Sequence, residues 1–158
     1  MPLELSIRSR LKRWPVSVAA LRECSFALAE CCLPQCDGEV SICLVSAAEM
    51  ARINQEFLNH EGPTDVITFD YGDPGGPGST PGTQRLLSAE IFICPEVADR
   101  QGREVGVLWK TEVLRYLIHG FLHLEGYDDL EPAKRVLMKR RENALVKHFL
   151  RRFSDCWT

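Results

Sequence analysis

His119 and His123 stand four residues apart in YLIHGFLHLEGYDD, the run from Tyr116 to Asp129, and they are two of only four histidines in a chain of 158 residues. On a helix that spacing stacks both imidazoles on one face, within reach of a single metal ion. Gly126 follows three residues after His123 and readily takes the left-handed conformation that ends a helix. Asp129 comes three residues later, where the reversed chain can return its carboxylate beneath the pair. His119, His123 and Asp129 are therefore expected to form a three-point metal frame. Two imidazoles and a carboxylate leave a tetrahedral ion one open position for water, which makes zinc the expected metal. The same donor set also suits non-haem iron, and sites of this kind bind nickel or copper where those are available.

The spacing matches the metzincin pattern HExxHxxGxxH, with Asp129 at the third ligand and Gly120 where a zinc peptidase carries its glutamate base. The frame survives and the peptidase base is missing, so peptide hydrolysis by that route is not expected. The longer run HGFLHLEGYDD resembles the HGxLHLxGYDH motif of the YbeY family of bacterial endoribonucleases and ribosomal RNA maturation factors. INQEFLNHEGPTDVITF is similar to that family's LNxxyRgkdxPTDVLSF, and AEIFICPEVADRQ to its GDIvIs segment. The resemblance spans roughly Glu39 to Leu145. It departs at Asp129, a histidine in the family, and at Leu58, which stands where the family has an arginine near the metal site. His60 or a basic residue from elsewhere is a candidate substitute.

The resemblance implies a zinc-dependent, single-strand-type endoribonuclease acting in ribosome biogenesis, on the 3′ end of the small-subunit RNA. Its expected partners are ribosomal RNA and the ribosome or its small subunit, without DNA. The chemistry expected is metal-assisted phosphodiester cleavage; no general base is assigned. Thr64-Asp65 are brought near the metal by the same resemblance. Two rivals stand beside this reading: a different metallohydrolase, and a non-enzymatic RNA-binding assembly factor with a metal site.

Net charge is -3, but it is unevenly divided. From Leu130 onward there are eight Lys or Arg against three Asp or Glu. Lys134, Arg135, Lys139, Arg140 and Arg141 on that basic end are the candidate RNA contacts, joined by a knot at Arg8, Arg10, Lys12 and Arg13. Tyr127 and Asp128 flank the frame, either orienting a ligand or simply forming the turn. The seven cysteines include no paired CxxC hooks and are expected to be free thiols. The start MPLELSIRSRLKRW lacks a signal-peptide core and no later segment has the apolar length of a membrane span, so a cytoplasmic protein with no membrane partner is expected.

To position the frame the chain needs a buried helix and a scaffold around it. Lys110 to Glu125 is apolar almost all round, as a core helix is. Strands are expected at Leu3–Ile7, Val40–Val45, Asp65–Phe69 and Glu90–Cys94. Helices are expected over Val16–Cys32, ended by Pro34 and Asp37-Gly38, and over Ala47–Phe57 behind a Ser46/Glu49 capping box. A short helix should start at Pro95 and a basic amphipathic one should cover Pro132–Leu150. Asp73 to Gly82 is too rich in Gly and Pro for regular structure and reads as a mobile loop. The whole is expected to be one domain over residues 1–158, of α/β (α+β) class: a small, mostly four-stranded mixed sheet covered by helices around the metal-binding helix, with a zincin-like ligand frame.

Overall fold

A computed structural model describes residues 3–11, 13–72 and 85–157. The expected loop at 73–82 and Lys12 lie outside the described residues.

The chain runs β1 (Glu4–Ser9), α1 (Val18–Cys32), β2 (Cys36–Leu44), α2 (Ala47–Leu58), β3 (Val66–Asp70), β4 (Arg85–Ile93), α3 (Pro95–Val105), α4 (Trp109–Glu125), α5 (Pro132–Arg152) and α6 (Ser154–Trp157). The sheet order is β1-β2-β4-β3. β1 and β4 both run parallel to β2, and β3 pairs antiparallel with β4 at one edge. This is the mixed four-stranded α+β sheet expected from the sequence.

Alternation along the strands divides the sheet into two faces. Leu5, Ile7, Val40, Ile42, Leu44, Leu87, Ala89, Ile91 and Ile93 share one face, and they form the main core with α1, α4, α5 and Trp157 of α6. Cys43 points the other way and joins Met50 and Ile53 of α2, Ile67, Cys94 and Val97 in a smaller cluster. α4 is the hub of the first face. Its residues Val113, Leu114, Leu117, Ile118, Phe121, Leu122 and Leu124 are fully buried, which is why a helix so apolar stays in place.

The caps explain most helix ends. Ser17 and Ser46 accept the N–H groups of Ala20 and Glu49, each at 3.2 Å, and fix the starts of α1 and α2. α1 therefore begins at Val18, two residues after the expected Val16. Pro95 opens α3 at its first position. Gly126 ends α4 in the left-handed region, φ 118°, with its N–H and that of Tyr127 both turned onto the Leu122 carbonyl.

The largest difference from expectation lies in β2. Asp37-Gly38 reads as a turn, yet both residues are in the strand, which starts at Cys36. Gly38 pairs with Leu87 at a left-handed φ of 104°, and a Cβ there would sit 2.0 Å from the Leu87 carbonyl oxygen. Glycine is needed because β4 passes so close, not because the chain turns. β4 likewise starts earlier than expected, at Arg85, in register with Cys36. α6 had no counterpart in the sequence reading. It is held by burial of Trp157 and by the Thr111 hydroxyl, which donates to the Trp157 carbonyl at 2.9 Å.

Candidate metal centre

His119 and His123 project from the last two turns of α4, and Asp129 comes back from the turn beyond Gly126. Nε2 of His119 and Nε2 of His123 are 3.0 Å apart; Oδ2 of Asp129 lies 3.6 Å from the first and 3.7 Å from the second. Atoms bound to zinc at about 2.0–2.1 Å in a tetrahedral arrangement lie about 3.3–3.4 Å from one another. The observed triangle brackets that value, so these residues fit a metal ion without rearrangement of the fold. They are the three residues that the structure brings into metal-binding range among those described.

The protonation states suit the same role. His119 Nδ1 lies 2.8 Å from Oε1 of Glu142. An ionised carboxylate can only accept, so Nδ1 is the donor of this bond and Nε2 is the ring nitrogen that faces the frame. Burial and the neighbouring His119 lower the pKa of His123, against the raising influence of Asp129, the Tyr127 backbone and Asp128. A lowered pKa keeps the ring neutral and available as a ligand.

Glu142 is itself 4% exposed. Burial alone would push its carboxyl up, but the donors His119, Arg115 and Lys139 outweigh that and hold it down at about 2. Arg115 Nη1 reaches Oε2 of Glu142 at 2.8 Å and Lys139 Nζ reaches it at 3.0 Å. This brace between α4 and α5 was not anticipated. It is 23 positions from His119 and sits in a strongly charged helix. The available signal was its place on the apolar stripe of α5, with Met138, Leu145, Val146 and Phe149, all buried. A carboxylate on a buried stripe needs a partner.

Gly120, at the position of a peptidase glutamate, faces the sheet. A Cβ there would stand 2.9 and 3.0 Å from Ile91 side-chain atoms and 3.2 Å from Thr68 Oγ1. The helix packs so tightly on β4 and β3 that a glutamate has no room.

Two cavities meet at the frame, sharing Asp65, Val66, His119 and Asp129 as walls. One, of about 530 Å³, extends between α4 and α5 past Arg115, Arg135 and Lys139. The other, of about 520 Å³, runs along β3 past Thr68, Asp70 and His123. Arg135 and Lys139 are thus beside the frame. Lys134 instead lies 3.9 Å from Asp128 and 3.8 Å from Glu131. Arg141 turns to the Cys31 sulfur at 3.3 Å, and Arg140 is exposed on α5. Arg8 shares with Cys43 and Phe92 the sheet face opposite Thr68, so Arg8, and Arg10 which lines a cavity with it on that face, are on the other side of the sheet from the frame. Asp128 closes the turn by accepting the Leu130 N–H at 2.7 Å.

Residues 8–150 match the family model described as Endoribonuclease YbeY. The chain belongs to the YbeY family. It is 41% identical over 111 residues to Endoribonuclease YbeY of Elusimicrobium minutum, covering 69% of this chain and 73% of that protein. With the protein of the same name from Thermobifida fusca it shares 36% identity over 120 residues, 75% of this chain and 76% of the relative. The solution structure of TM1509 from Thermotoga maritima superposes with a TM-score of 0.65 at 27% identity, covering 96% of this chain and 92% of that one.

Leu58 ends α2, is 42% exposed, and lines neither cavity at the frame. His60 is exposed as well, with its backbone N–H on the Asn54 carbonyl. In this YbeY family member, among the described residues, Arg115 on α4 and Arg135 on α5 line the cavity beside the frame.

Proposed function

We propose that the protein is a zinc-dependent endoribonuclease that acts in ribosomal RNA processing, on the 3′ end of the small-subunit RNA, in the cytoplasm. The observation that carries this reading is the His119–His123–Asp129 triangle, which has tetrahedral dimensions and, among the described residues, three protein donors, in a chain of the YbeY family. Three donors leave a coordination position for water or substrate, whereas a structural zinc takes four.

His119, His123 and Asp129 would hold the ion, and Lewis-acid polarisation of a phosphoryl oxygen is what it supplies when bound. Glu142 keeps the Nδ1 proton on His119 and so keeps Nε2 free to coordinate. Arg135 braces the third ligand, since its Nε donates to the Asp129 carbonyl at 3.0 Å. Arg135 and Lys139 place positive charge where an RNA backbone would cross the frame, a contact that needs no base reading. Gly120 argues against the peptidase alternative, because the packing that surrounds it excludes a general-base side chain.

Leu58 favours a second reading, an assembly factor that binds RNA without cutting it. One experiment separates the two: metal content and cleavage of ribosomal RNA by the purified protein, with and without chelator. Zinc near one per chain with cleavage that chelator abolishes supports the enzyme. Zinc and RNA binding without cleavage supports the assembly factor, and protein that takes up no metal removes both.

A further inference from the structure

The two cavities that meet at the frame differ in charge. Asp65 and Asp129 line both; among the described residues the β3 side adds Asp70 and no Lys or Arg, whereas the α5 side adds Arg115, Arg135 and Lys139 together with Glu112 and Glu142. Arg85 pairs with Asp70 of this β3 cavity and is committed: Nη2 lies 2.6 Å from the Asp70 carboxylate and Nη1 donates to the Leu124 carbonyl at 2.6 Å.

The cavity between α4 and α5 is different. Its Arg115 is engaged by Glu142, by Asn143 at 2.8 Å and by Glu112 at 3.7 Å. Lys139 shares the same Glu142 and is 61% exposed. Arg135 sits one helical turn before Lys139 on the same face of α5. Its hydrogen bonds go to the backbone carbonyls of Asp129 and Leu130, and among the described residues no carboxylate pairs with it. Its charge is uncompensated, and its guanidinium is anchored rather than free to wander, a combination suited to a phosphate.

We propose that the enzyme reads the phosphate next to the scissile one on one side only. With the scissile phosphodiester over His119, His123 and Asp129, the strand leaves through both cavities. The neighbouring phosphate on the α5 side is bound by Arg135 with help from Lys139. The neighbour on the β3 side meets Asp70, which Arg85 already pairs, and finds no uncommitted cation among the described residues. Arg135 thereby supplies, from a different element, a guanidinium that Leu58 does not. The inference rests on the ribonuclease reading above.

The test uses three RNA dinucleotides with one cleavable linkage: unphosphorylated, 5′-phosphorylated and 3′-phosphorylated. KM and kcat are measured on the zinc-loaded protein. Binding of the three 2′-O-methyl analogues to metal-free protein is measured by calorimetry. One terminal phosphate should lower KM and Kd by roughly tenfold, as a charge-assisted contact does, and the other should not. Arg135→Gln should erase that difference and Lys139→Gln should reduce it, and the calorimetry on metal-free protein reads this apart from any change in zinc content that follows from the Arg135 hold on the Asp129 carbonyl or the Lys139 contact with Glu142. Equal effects of the two phosphates, or an undiminished difference in Arg135→Gln, would overturn the proposal. If the natural protein cleaves neither dinucleotides nor longer RNA, the ribonuclease reading fails, and the calorimetric difference still decides on the phosphate site.

Discussion

Replacing Glu142 by alanine would strip the frame of its brace without touching a ligand. The carboxyl is held at about 2 from an ordinary 4.5, a shift that corresponds to roughly 3 kcal/mol of preference for the ionised, hydrogen-bonded form. Its side chain is 5% exposed, so solvent screening removes little of that. In Glu142→Ala, Arg115 keeps Glu112 and Asn143, and Lys139 can turn to water; the loss of stability should therefore be about 3 kcal/mol, the low end for breaking a buried charge pair. His119 loses the acceptor that fixes its tautomer, and zinc affinity should fall about 10- to 100-fold. Glu142→Gln keeps a carbonyl acceptor for Nδ1 and should lose less affinity than the alanine variant. The assays are urea unfolding and zinc competition against a chromophoric chelator. An alanine variant that unfolds earlier but binds zinc as tightly as the natural protein would show that Glu142 only ties α4 to α5 and has no role at the frame. The same shift fixes an acid limb. Because the folded pKa is depressed, the contribution is complete above pH 4.5 and drains as pH falls towards about 2. The metal-free Glu142→Gln protein should show a shallower loss of stability across that window.

His123→Ala should lose the metal, since His119 and Asp129 alone do not make a three-point frame; elemental analysis reads this directly. Asp129→His should keep zinc while moving the pH–rate profile to lower pH, because an imidazole leaves more positive charge on the ion than a carboxylate does; unchanged metal content and an unchanged profile would mean that Asp129 is not a ligand. Gly120→Ala pits about 1 kcal/mol of helix propensity against overpacking of about 1–3 kcal/mol on Ile91 and Thr68. The melting temperature should fall, and a rise would show that α4 can lift from the sheet at no cost.

The frame was legible in the sequence because its parts are local. His119, His123, Gly126 and Asp129 lie within a single helix turn-and-cap, where periodicity and the left-handed preference of glycine decide geometry with little help from the rest of the chain. The strands of the mixed sheet were legible for a similar reason, as Leu3–Ile7 alternates apolar and polar residues and Asp65–Phe69 is rich in β-branched and aromatic ones. What escaped depends on distant neighbours. Gly38 looks like a turn until β4 is seen passing over it, and Glu142 looks like one more charge on a basic helix until α4 is packed against α5. The basic residues show the same limit. Composition grouped Lys134, Arg135, Lys139, Arg140 and Arg141, but only the register of α5 against the frame separates Arg135 and Lys139 from the others.

The frame joins two parts of the protein with unequal mechanical security. His119 and His123 belong to the most deeply packed helix, whose amides can exchange with solvent only through large-scale opening. Asp129 is carried by a partly exposed turn outside that unit, tethered by Arg135 and the Asp128 turn. The ligand set therefore has a fixed jaw and a hinged one. On the proposed reading metal would enter and leave at the Asp129 turn while the core stays folded, so the rate of metal exchange and the rate of unfolding would be set by different parts of the chain.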